Sequence, residues 1–413
     1  MAPVLSTWPD ICGPCPSSTP SVSSETVGCE LLLVQTTEEY KLGGLSKPGF
    51  PLLLTADMKS CWEANEFLRF YLLRGNIESQ RSWEPISRSL YDYFGFLEAH
   101  ELEWNDVSRG ENKNLLAAYR DYSFEVAHLA RNTVRQRLTY VCEFYKYAAR
   151  QGWIQKVPYS FEKRHVTGNG GFLAHVGGGG IDVEVRSVMP RKHADLAKYL
   201  TRDEAKALLR AANNLHHKTI VQTALLTGLR RAELASFPAS YVFDPDRTGC
   251  RSRNVSVTLD PADGSGMRTK GSKRRVIWMS RQLMKTMHRY LIHHRGARSS
   301  LSQDEFPQLF LNQDGQPFAD NGKGLEAIVR ELGQKVGLQV HPHMLRHTYA
   351  THTLTDMQRD RTKNGIEPLV FLQKQLGHSS IRTTMAYLHL VNEIADNAVL
   401  AYDEELNAYG WEH

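Results

Sequence analysis

The sequence predicts a mainly helical protein in which an all-helical domain precedes a mixed α/β domain with a small antiparallel sheet. Apolar residues recur at helical spacing over 62–97 and 132–150. A T-x-x-E capping box at 201–204 marks the start of a further helix. Residues 254–259 and 274–279 alternate between apolar and polar side chains, as the two strands of a hairpin do. Helical patterns dominate the rest of the second domain.

A chain of 413 residues is too long for one compact core, so we expect two domains with extensions. Residues 1–55 are rich in Ser, Thr and Pro and are expected to form a poorly ordered or accessory extension. The helical domain then occupies 56–165. A glycine-rich run predicts a linker over 166–196. We expect the mixed domain over 197–390 and a C-terminal tail helix over 391–413.

Composition excludes some classes of protein but does not identify a function. The net charge of +5 and the pI near 8.8 are compatible with a nucleic-acid partner without requiring one. No long apolar stretch and no secretory signal are visible, so we expect a cytoplasmic protein without a membrane partner. The six scattered cysteines predict reduced thiols. Cys12 and Cys15 form a lone CxxC near Cys29, which is too few ligands for a predicted metal site.

Four segments of the mixed domain carry the residues that we expect to act chemically. They are TGLRRAEL at 227–234, TKGSKRR at 269–275, PHMLRH at 342–347, and LGH at 376–378 with Tyr387 nine residues after its histidine. One such motif arises often by chance, whereas four in order are a strong signal. Together they resemble the catalytic domain of the tyrosine recombinase (phage integrase) family. The helical domain resembles the core-binding domain of that family in general pattern only.

The resemblance implies a site-specific DNA recombinase or integrase that serves a phage or other mobile element. Such an enzyme cleaves and rejoins DNA through a 3′-phosphotyrosine intermediate and a Holliday junction, without metal, ATP or another cofactor. The sequence contains neither a P-loop nor a clustered carboxylate site, which argues against a two-metal nuclease. By resemblance, the catalytic residues are Arg230, Lys270, His343, Arg346, His378 and Tyr387.

These residue types suit transesterification at a phosphodiester, which needs a nucleophile, a proton donor and positive groups around the phosphate. Arginine forms bidentate hydrogen bonds to phosphate and stays charged, so Arg230 and Arg346 are expected to hold it. His378 is expected to hydrogen-bond the same phosphate. By resemblance, Lys270 is the general acid for the leaving 5′ oxygen, and Tyr387 is the nucleophile.

Several of these assignments have competitors. The Tyr387 phenol, with an ordinary pKa of about 10, needs a base, most plausibly His343. His347 is interpreted as a packed or hydrogen-bonded support for the site. Lys273 is the rival of Lys270 as the general acid.

Other charged residues near the motifs have structural or DNA-contact interpretations. Arg231 is expected to pair with an acid or face solvent, and Glu233 to orient a basic neighbour. The residues expected to contact DNA outside the catalytic set are Arg135, Lys146, Lys273, Arg274 and Arg275. The polar segment 355–368 is longer than expected for the family and is interpreted as a surface loop.

The expected partners are double-stranded recombination sites and further copies of the chain. The family resemblance implies a homo-tetramer on two DNA duplexes, formed from a monomer or weak dimer. The tail after Tyr387 has apolar residues at helical spacing and an acidic face, so we expect a helix that packs on its own domain or on a neighbouring catalytic domain. The family resemblance favours the neighbouring domain. Two other functions remain open: a type IB topoisomerase-like enzyme that relaxes DNA, and a DNA-binding regulator that kept the fold and lost catalysis.

Overall fold

The computed structural model divides the chain into two compact units, 1–194 and 195–413. It describes residues 6–7, 31–74, 77, 79–108, 114–166, 181–191, 197–248, 252–319, 321–359, 367–388 and 390, with only the backbone at 6–7, 164–166 and 181–183. Cys12, Cys15, Cys29, the glycine-rich run and the tail 391–413 lie outside the described residues. In the described part, no helix has both the length and the apolar character needed to cross a membrane.

Four helices build most of the first unit. They are α1 (Trp62–Leu72), α2 (Trp83–Ala99), α3 (Leu115–Glu125) and α4 (Arg131–Arg150). The predicted apolar stripe of α4 is buried throughout, as Val134, Leu138 and Tyr145 illustrate. Tyr145 also donates a hydrogen bond of 2.7 Å to the carbonyl of Trp104, which ties α4 to the loop after α2. Burial of this stripe anchors α4 in the core of the unit.

Short strands precede these helices, which the sequence analysis did not foresee. They are β1 (Ser6–Thr7), β2 (Leu32–Gln35), β3 (Lys41–Leu42), β4 (Leu45–Ser46) and β5 (Pro51–Leu54). The antiparallel sheet β1–β2–β5 buries Val34 and Leu53 against the helices. The buried Asn65 amide closes the edge by bonding both the N–H and the C=O of Leu53 at 2.8 Å. Apolar runs of four residues are too short to reveal a strand by periodicity.

Two further strands flank the glycine-rich run. They are β6 (Phe161–Val166) and β7 (Ile181–Arg186), which pair in antiparallel fashion from Phe161 opposite Arg186. The strand β7 therefore lies within the range predicted as a linker. Arg186 also pairs with Glu143 of α4, so this hairpin belongs to the first unit.

The second unit begins with the predicted capping box. The Glu204 N–H donates to Thr201 Oγ1 at 3.2 Å, and the Thr201 N–H donates to the Glu204 carboxylate at 2.7 Å. Two helices and a single turn of helix follow: α5 (Arg202–Ala211), α6 (Leu215–Thr227) and α7 (Arg231–Ala235). The helix α6 ends at Gly228, whose φ of +65° is the left-handed conformation that favours glycine.

A two-stranded antiparallel sheet, β8 (Asn254–Leu259) and β9 (Arg275–Ser280), follows as predicted. The remaining helices among the described residues are α8 (Arg281–Tyr290), a π-turn (Leu291–Arg295), α9 (Gly296–Ser299), α10 (Lys323–Lys335), α11 (Pro342–Arg359), α12 (Pro368–Leu376) and a helical segment over 381–388. Part of the expected surface loop 355–368 is thus the end of α11, while 360–366 lie outside the described residues. The predicted fold class, mainly helical with small antiparallel sheets, is confirmed.

Candidate active site

The helix α11 brings the PHMLRH motif into the second unit. Its first residue is Pro342, which lacks only an N–H that has no helical partner at that position. Arg346, one turn further along, is only 2% exposed. Its guanidinium donates to the carbonyls of Gly228 at 2.6 Å and Leu376 at 2.7 Å. Burial first, and then the charge of Arg230, lowers the Arg346 pKa to about 10, so the group remains cationic at neutral pH.

Arg230 contacts the same turn as Arg346. Its Nη2 donates to the Gly377 carbonyl at 3.0 Å, next to the Leu376 carbonyl that Arg346 uses. Its Nη1 lies 2.9 Å from the Glu233 carboxylate. Gly377 has a φ of +64°, and a Cβ there would lie 2.8 Å from the Arg275 side chain. The glycine therefore lets the turn approach the Arg275 side chain closely.

Glu233 is the buried anion beneath these cations. Arg275 donates to its two oxygens at 2.8 and 2.7 Å, and Arg230 adds a third charged hydrogen bond. Burial alone would raise the pKa of Glu233, but the hydrogen bonds and charge of Arg275, with help from Arg230, lower it to about 2. The carboxylate orients two basic neighbours, which matches the structural interpretation of Glu233.

Arg275 does not occupy the exposed position expected of a DNA contact. Its side chain is 11% exposed, and both terminal nitrogens already donate to Glu233. The strand period explains the difference, because Arg275 shares the inward face of β9 with the buried Ile277 and Met279. Arg274, one residue earlier, is 71% exposed and lies only 3.4 Å from Asp260. The alternation of side chains along a strand is therefore a sequence signal that distinguishes the inward Arg275 from the exposed Arg274.

The other expected DNA contacts differ in accessibility. Lys273 is exposed, and Lys146 is exposed with Glu143 at 3.6 Å. Arg135 is half-buried and donates to the carbonyl of Pro190 within the first unit. Surface lysines can reach a phosphate more easily than the bonded Arg135.

Lys270 lies in an exposed turn ahead of β9. The turn spans Lys270–Ser272, with Gly271 at a φ of +69°, and is closed by a 2.8 Å hydrogen bond from Thr269 Oγ1 to the Lys273 carbonyl. The strand β9, which follows the turn, is tied to Glu233 through Arg275. This bond fixes the end of the turn at the surface. A long lysine side chain on such a turn can swing toward bound DNA.

His378 follows the glycine turn and contacts Arg346 directly. Its Nε2 lies 3.1 Å from Arg346 Nη2, and its Nδ1 lies 2.9 Å from Thr384 Oγ1. Because arginine can only donate, Nε2 must accept, and Nδ1 then carries the proton. Burial first, and then Arg346, lowers the His378 pKa to about 3, so the ring is neutral at pH 7.

Tyr387 lies within the segment 381–388 and is 4% exposed. Its ring is parallel to that of His378, with centroids 6.2 Å apart. The hydroxyl lies 2.9 Å from Nδ1 of His347. Burial raises the Tyr387 pKa, while Arg346 and Arg230 oppose that rise.

In the described structure the Tyr387 hydroxyl therefore pairs with His347 and not with the expected base His343. His343 is exposed, and its ring packs edge-on against His347 with centroids 4.3 Å apart. The histidines are four residues apart, so both lie on one face of α11. Their spacing could not show which of them faces Tyr387, because that depends on how the segment 381–388 packs.

Arg230, Arg346, His378 and Tyr387 thus meet around one turn, with His343 on the rim and Lys270 on a separate surface turn. Within the described residues, no group of three or more His, Cys, Asp and Glu side chains is arranged to hold a metal ion. Two cations and neutral imidazoles around a phenol form a site suited to an anion with a nucleophile beside it.

Comparison with known proteins is consistent with this geometry. The sequence model of the phage integrase family matches residues 198–393. Tyrosine recombinase XerA of Pyrococcus horikoshii is 27% identical over 299 residues, covering 70% of this chain and 93% of that protein. Tyrosine recombinase XerC of Bacillus subtilis is 24% identical over 281 residues, covering 66% of this chain and 75% of the relative.

Solved structures share the fold. The Tn1549 transposon integrase in complex with transposon right end DNA matches with a TM-score of 0.54 and 17% identity, covering 79% of this chain and 94% of that chain. The XerH site-specific recombinase bound to palindromic difH substrate, in a post-cleavage complex, also gives 0.54, with 15% identity and coverage of 83% and 88%.

Proposed function

Because this chain belongs to the tyrosine recombinase (phage integrase) family, we propose that it cleaves and rejoins duplex DNA at specific sites through a 3′-phosphotyrosine intermediate. One observation carries the proposal. Arg230 and Arg346 bond adjacent carbonyls of the turn that precedes His378, and the Tyr387 ring stacks beside that histidine. Three of the four motifs therefore supply one pocket with a nucleophile and two cations suited to binding a phosphate.

The proposed reaction exchanges one phosphodiester for another. The Tyr387 oxygen attacks the phosphorus, a P–O bond to tyrosine forms, and the bond to the 5′ oxygen breaks. Lys270 gives a proton to that leaving oxygen, while Arg230 and Arg346 hold the phosphate as charge shifts in the transition state. Rejoining is the reverse attack by a 5′ hydroxyl. Since the bond energy is kept in the phosphotyrosine, the exchange needs no ATP.

The remaining histidines are assigned to the phosphate. His343 lies exposed on the same face of α11 as His347, and His378 already contacts Arg346. A neutral imidazole can donate one hydrogen bond to a phosphate oxygen without adding charge. For His378 this requires that the phosphate replaces Arg346 as the partner of Nε2 and that the ring proton moves from Nδ1 to Nε2. When the phosphate binds, its oxygens would replace the backbone carbonyls as hydrogen-bond partners of Arg230 and Arg346.

The proposed partner is double-stranded DNA. The Tn1549 integrase and XerH structures both contain DNA, and this chain shares their fold. Exposed cations at Lys270, Lys273 and Arg274 line the approach to β9. Lys270 is the proposed general acid, whereas we assign Lys273 and Arg274, with Lys146 of the first unit, to phosphate contacts that position the duplex.

The nucleophile is tested by trapping a covalent protein–DNA adduct on a nicked suicide substrate. Tyr387→Phe is expected to bind DNA but form no adduct, while Tyr122→Phe in the first unit forms it normally. An adduct with Tyr387→Phe would contradict the assignment. A DNA-binding regulator without catalysis would give no adduct even with the wild-type chain.

The general acid is tested with a substrate whose leaving 5′ oxygen is replaced by sulfur, since a thiolate leaves without a proton. This substrate is expected to restore cleavage by Lys270→Ala. The corresponding Lys273→Ala variant serves as the control, because Lys273 occupies the same surface turn. Rescue of Lys273→Ala alone would transfer the role to Lys273.

The product identifies the type of exchange. We propose that two duplexes are joined through a Holliday junction by a homo-tetramer, in service of a phage or other mobile element. Sequencing the junctions made in cells that carry the native flanking DNA separates integration from resolution and inversion. Relaxation of supercoiled DNA without exchanged junctions would favour a type IB topoisomerase-like enzyme.

A truncation ending at Leu390 tests whether the tail docks between protomers. If the truncated protein still forms tetramers and recombines at the full rate, docking between protomers is contradicted.

A further inference from the structure

The hydroxyl of the proposed nucleophile has a nearby partner on α11. Tyr387 Oη lies 2.9 Å from His347 Nδ1, a hydrogen-bond distance. The ring centroids are 5.6 Å apart, with 52° between the ring planes. Tyr387 is 4% exposed, so bulk water has little access to its side chain. A proton leaving this buried phenol therefore needs an acceptor within the protein.

The groups facing this contact are arginines and histidines. They are Arg346, His341 and His343 on or next to α11, Arg230 before α7, and His378 after α12. The arginines can only donate hydrogen bonds. The Nε2 of His378 already accepts from Arg346, and its Nδ1 pairs with Thr384. His347 is thus the group in direct contact that can accept a proton from Tyr387.

His347 is neutral in the free protein. Burial first, followed by His343 and Arg346, lowers its pKa to about 4. At neutral pH its Nδ1 can therefore accept from the phenol. The nearby DNA phosphate would favour the imidazolium form once the substrate is bound, because an anion stabilises an adjacent cation.

We propose that His347 is a catalytic residue that holds the Tyr387 hydroxyl and accepts its proton during attack on the phosphate. This assignment rests on the proposed recombinase function. As the P–O bond to Tyr387 forms, the bond from phosphorus to the 5′ oxygen breaks, Lys270 protonates that oxygen, and the phenolic proton moves to His347 Nδ1. When a 5′ hydroxyl attacks the phosphotyrosine, its proton returns to Lys270, the P–O bond to tyrosine breaks, and the proton on His347 returns to the phenol oxygen. The cycle therefore balances without an external base.

Two substitutions distinguish the hydrogen bond that His347 makes to the Tyr387 hydroxyl from its acceptance of the proton. His347→Asn places an amide near the position of Nδ1, so it keeps a hydrogen-bond acceptor for the hydroxyl but cannot take its proton. His347→Phe fills the space and removes both. His352→Phe is the matched control, because His352 also lies half-buried on α11 but bonds the Leu200 carbonyl instead.

The contact itself is measured in the free protein. With 3-fluorotyrosine in place of Tyr387, the ¹⁹F resonance reports the surroundings of the phenol. The expected result is a shifted resonance in His347→Phe and a nearly unchanged one in His347→Asn and His352→Phe. A resonance unaffected by His347→Phe would overturn the proposal.

The chemistry is measured as single-turnover adduct formation on a nicked duplex that carries the recombination site found by junction sequencing. Loss of a general base is expected to slow His347→Phe and His347→Asn at least about 100-fold, while His352→Phe stays within about twofold. The fluorinated phenol is a stronger acid, so it should reduce the defect of both His347 variants. Wild-type rates in His347→Phe would overturn the proposal. Absence of adduct with the wild-type chain would instead refute the proposed function, and the ¹⁹F result would still decide the contact.

Discussion

Replacing Glu233 with glutamine removes the negative charge beneath the pocket and nearly preserves the size of the side chain. Glu233 is 1% exposed and accepts two hydrogen bonds from Arg275 and one from the Arg230 guanidinium. In Glu233→Gln the amide NH₂ group faces guanidinium donors, and two cations lose their anion. We therefore expect β9 to loosen where Arg275 anchors it.

The magnitude follows from the ionisation of Glu233. Its pKa falls from an ordinary 4.5 to about 2 in the fold. At about 1.4 kcal/mol per pKa unit, the carboxylate contributes about 3 kcal/mol at neutral pH. A carboxylate with a lowered pKa stabilises the fold fully above its unfolded value. That contribution is lost as the pH falls from about 4.5 to about 2. Glu233→Gln lacks the carboxylate, so it should be less stable than the wild type at neutral pH and approach the wild type as the pH falls through this range.

Hydrogen exchange of peptides covering β9 measures this effect within the second unit. A loss of about 3 kcal/mol should accelerate exchange of these amides about 100-fold at pH 7, since each 1.4 kcal/mol is a factor of ten. Glu326→Gln is the matched control, because Glu326 also pairs with two arginines but is 29% exposed. Its expected effect is below about 1 kcal/mol. Equal protection of β9 in Glu233→Gln and the wild type would refute the reasoning.

Three further predictions concern acid stability, the glycine turn and DNA binding. His216 is buried against Tyr290, and burial lowers its pKa to about 3; its neutral form stabilises the fold above pH 6.5 and less as the pH falls toward 3. In urea unfolding, a drop from pH 7 to pH 5 should therefore lower the free energy of unfolding of the wild type by about 2 kcal/mol more than that of His216→Gln. Gly377→Ala should cost more than about 1 kcal/mol and slow adduct formation, because its Cβ would meet Arg275, whereas Gly337→Ala, with the same sign of φ and open space, should show only the backbone strain. Duplex affinity should fall with a log-log salt slope of about −0.9 per phosphate contact, and a flat response would exclude phosphate-dominated binding.

The amino-acid pattern was sufficient for much of the fold. The capping box at Thr201 and Glu204 and the hairpin before α8 depend on neighbouring residues, so local rules predict them. The sheet before α1 was missed for the opposite reason. Its strands β2 and β5 are four residues long and are stabilised by each other and by Asn65, contacts that a local pattern does not contain.

For the site, the motifs predicted which residues to consider but not every contact among them. Arg346 and His378 contact each other, and Arg230 reaches the turn between them. The partner of Tyr387 was not predictable, because His343 and His347 share a face of α11 and only tertiary packing distinguishes them.

The long interval between Arg346 and His378 is compatible with a complete pocket because that interval is fixed at both ends. Arg346 donates to the Leu376 carbonyl, which ends α12, and contacts His378 two residues later. The buried Gln375 amide further ties α12 to β9 by accepting from the Trp278 N–H at 2.8 Å and donating to the Trp278 carbonyl at 2.9 Å. The turn carrying His378 is thus held by α11 and β9 together. Chain length between Arg359 and Pro368 can change without moving the turn, because none of these bonds involves the intervening residues.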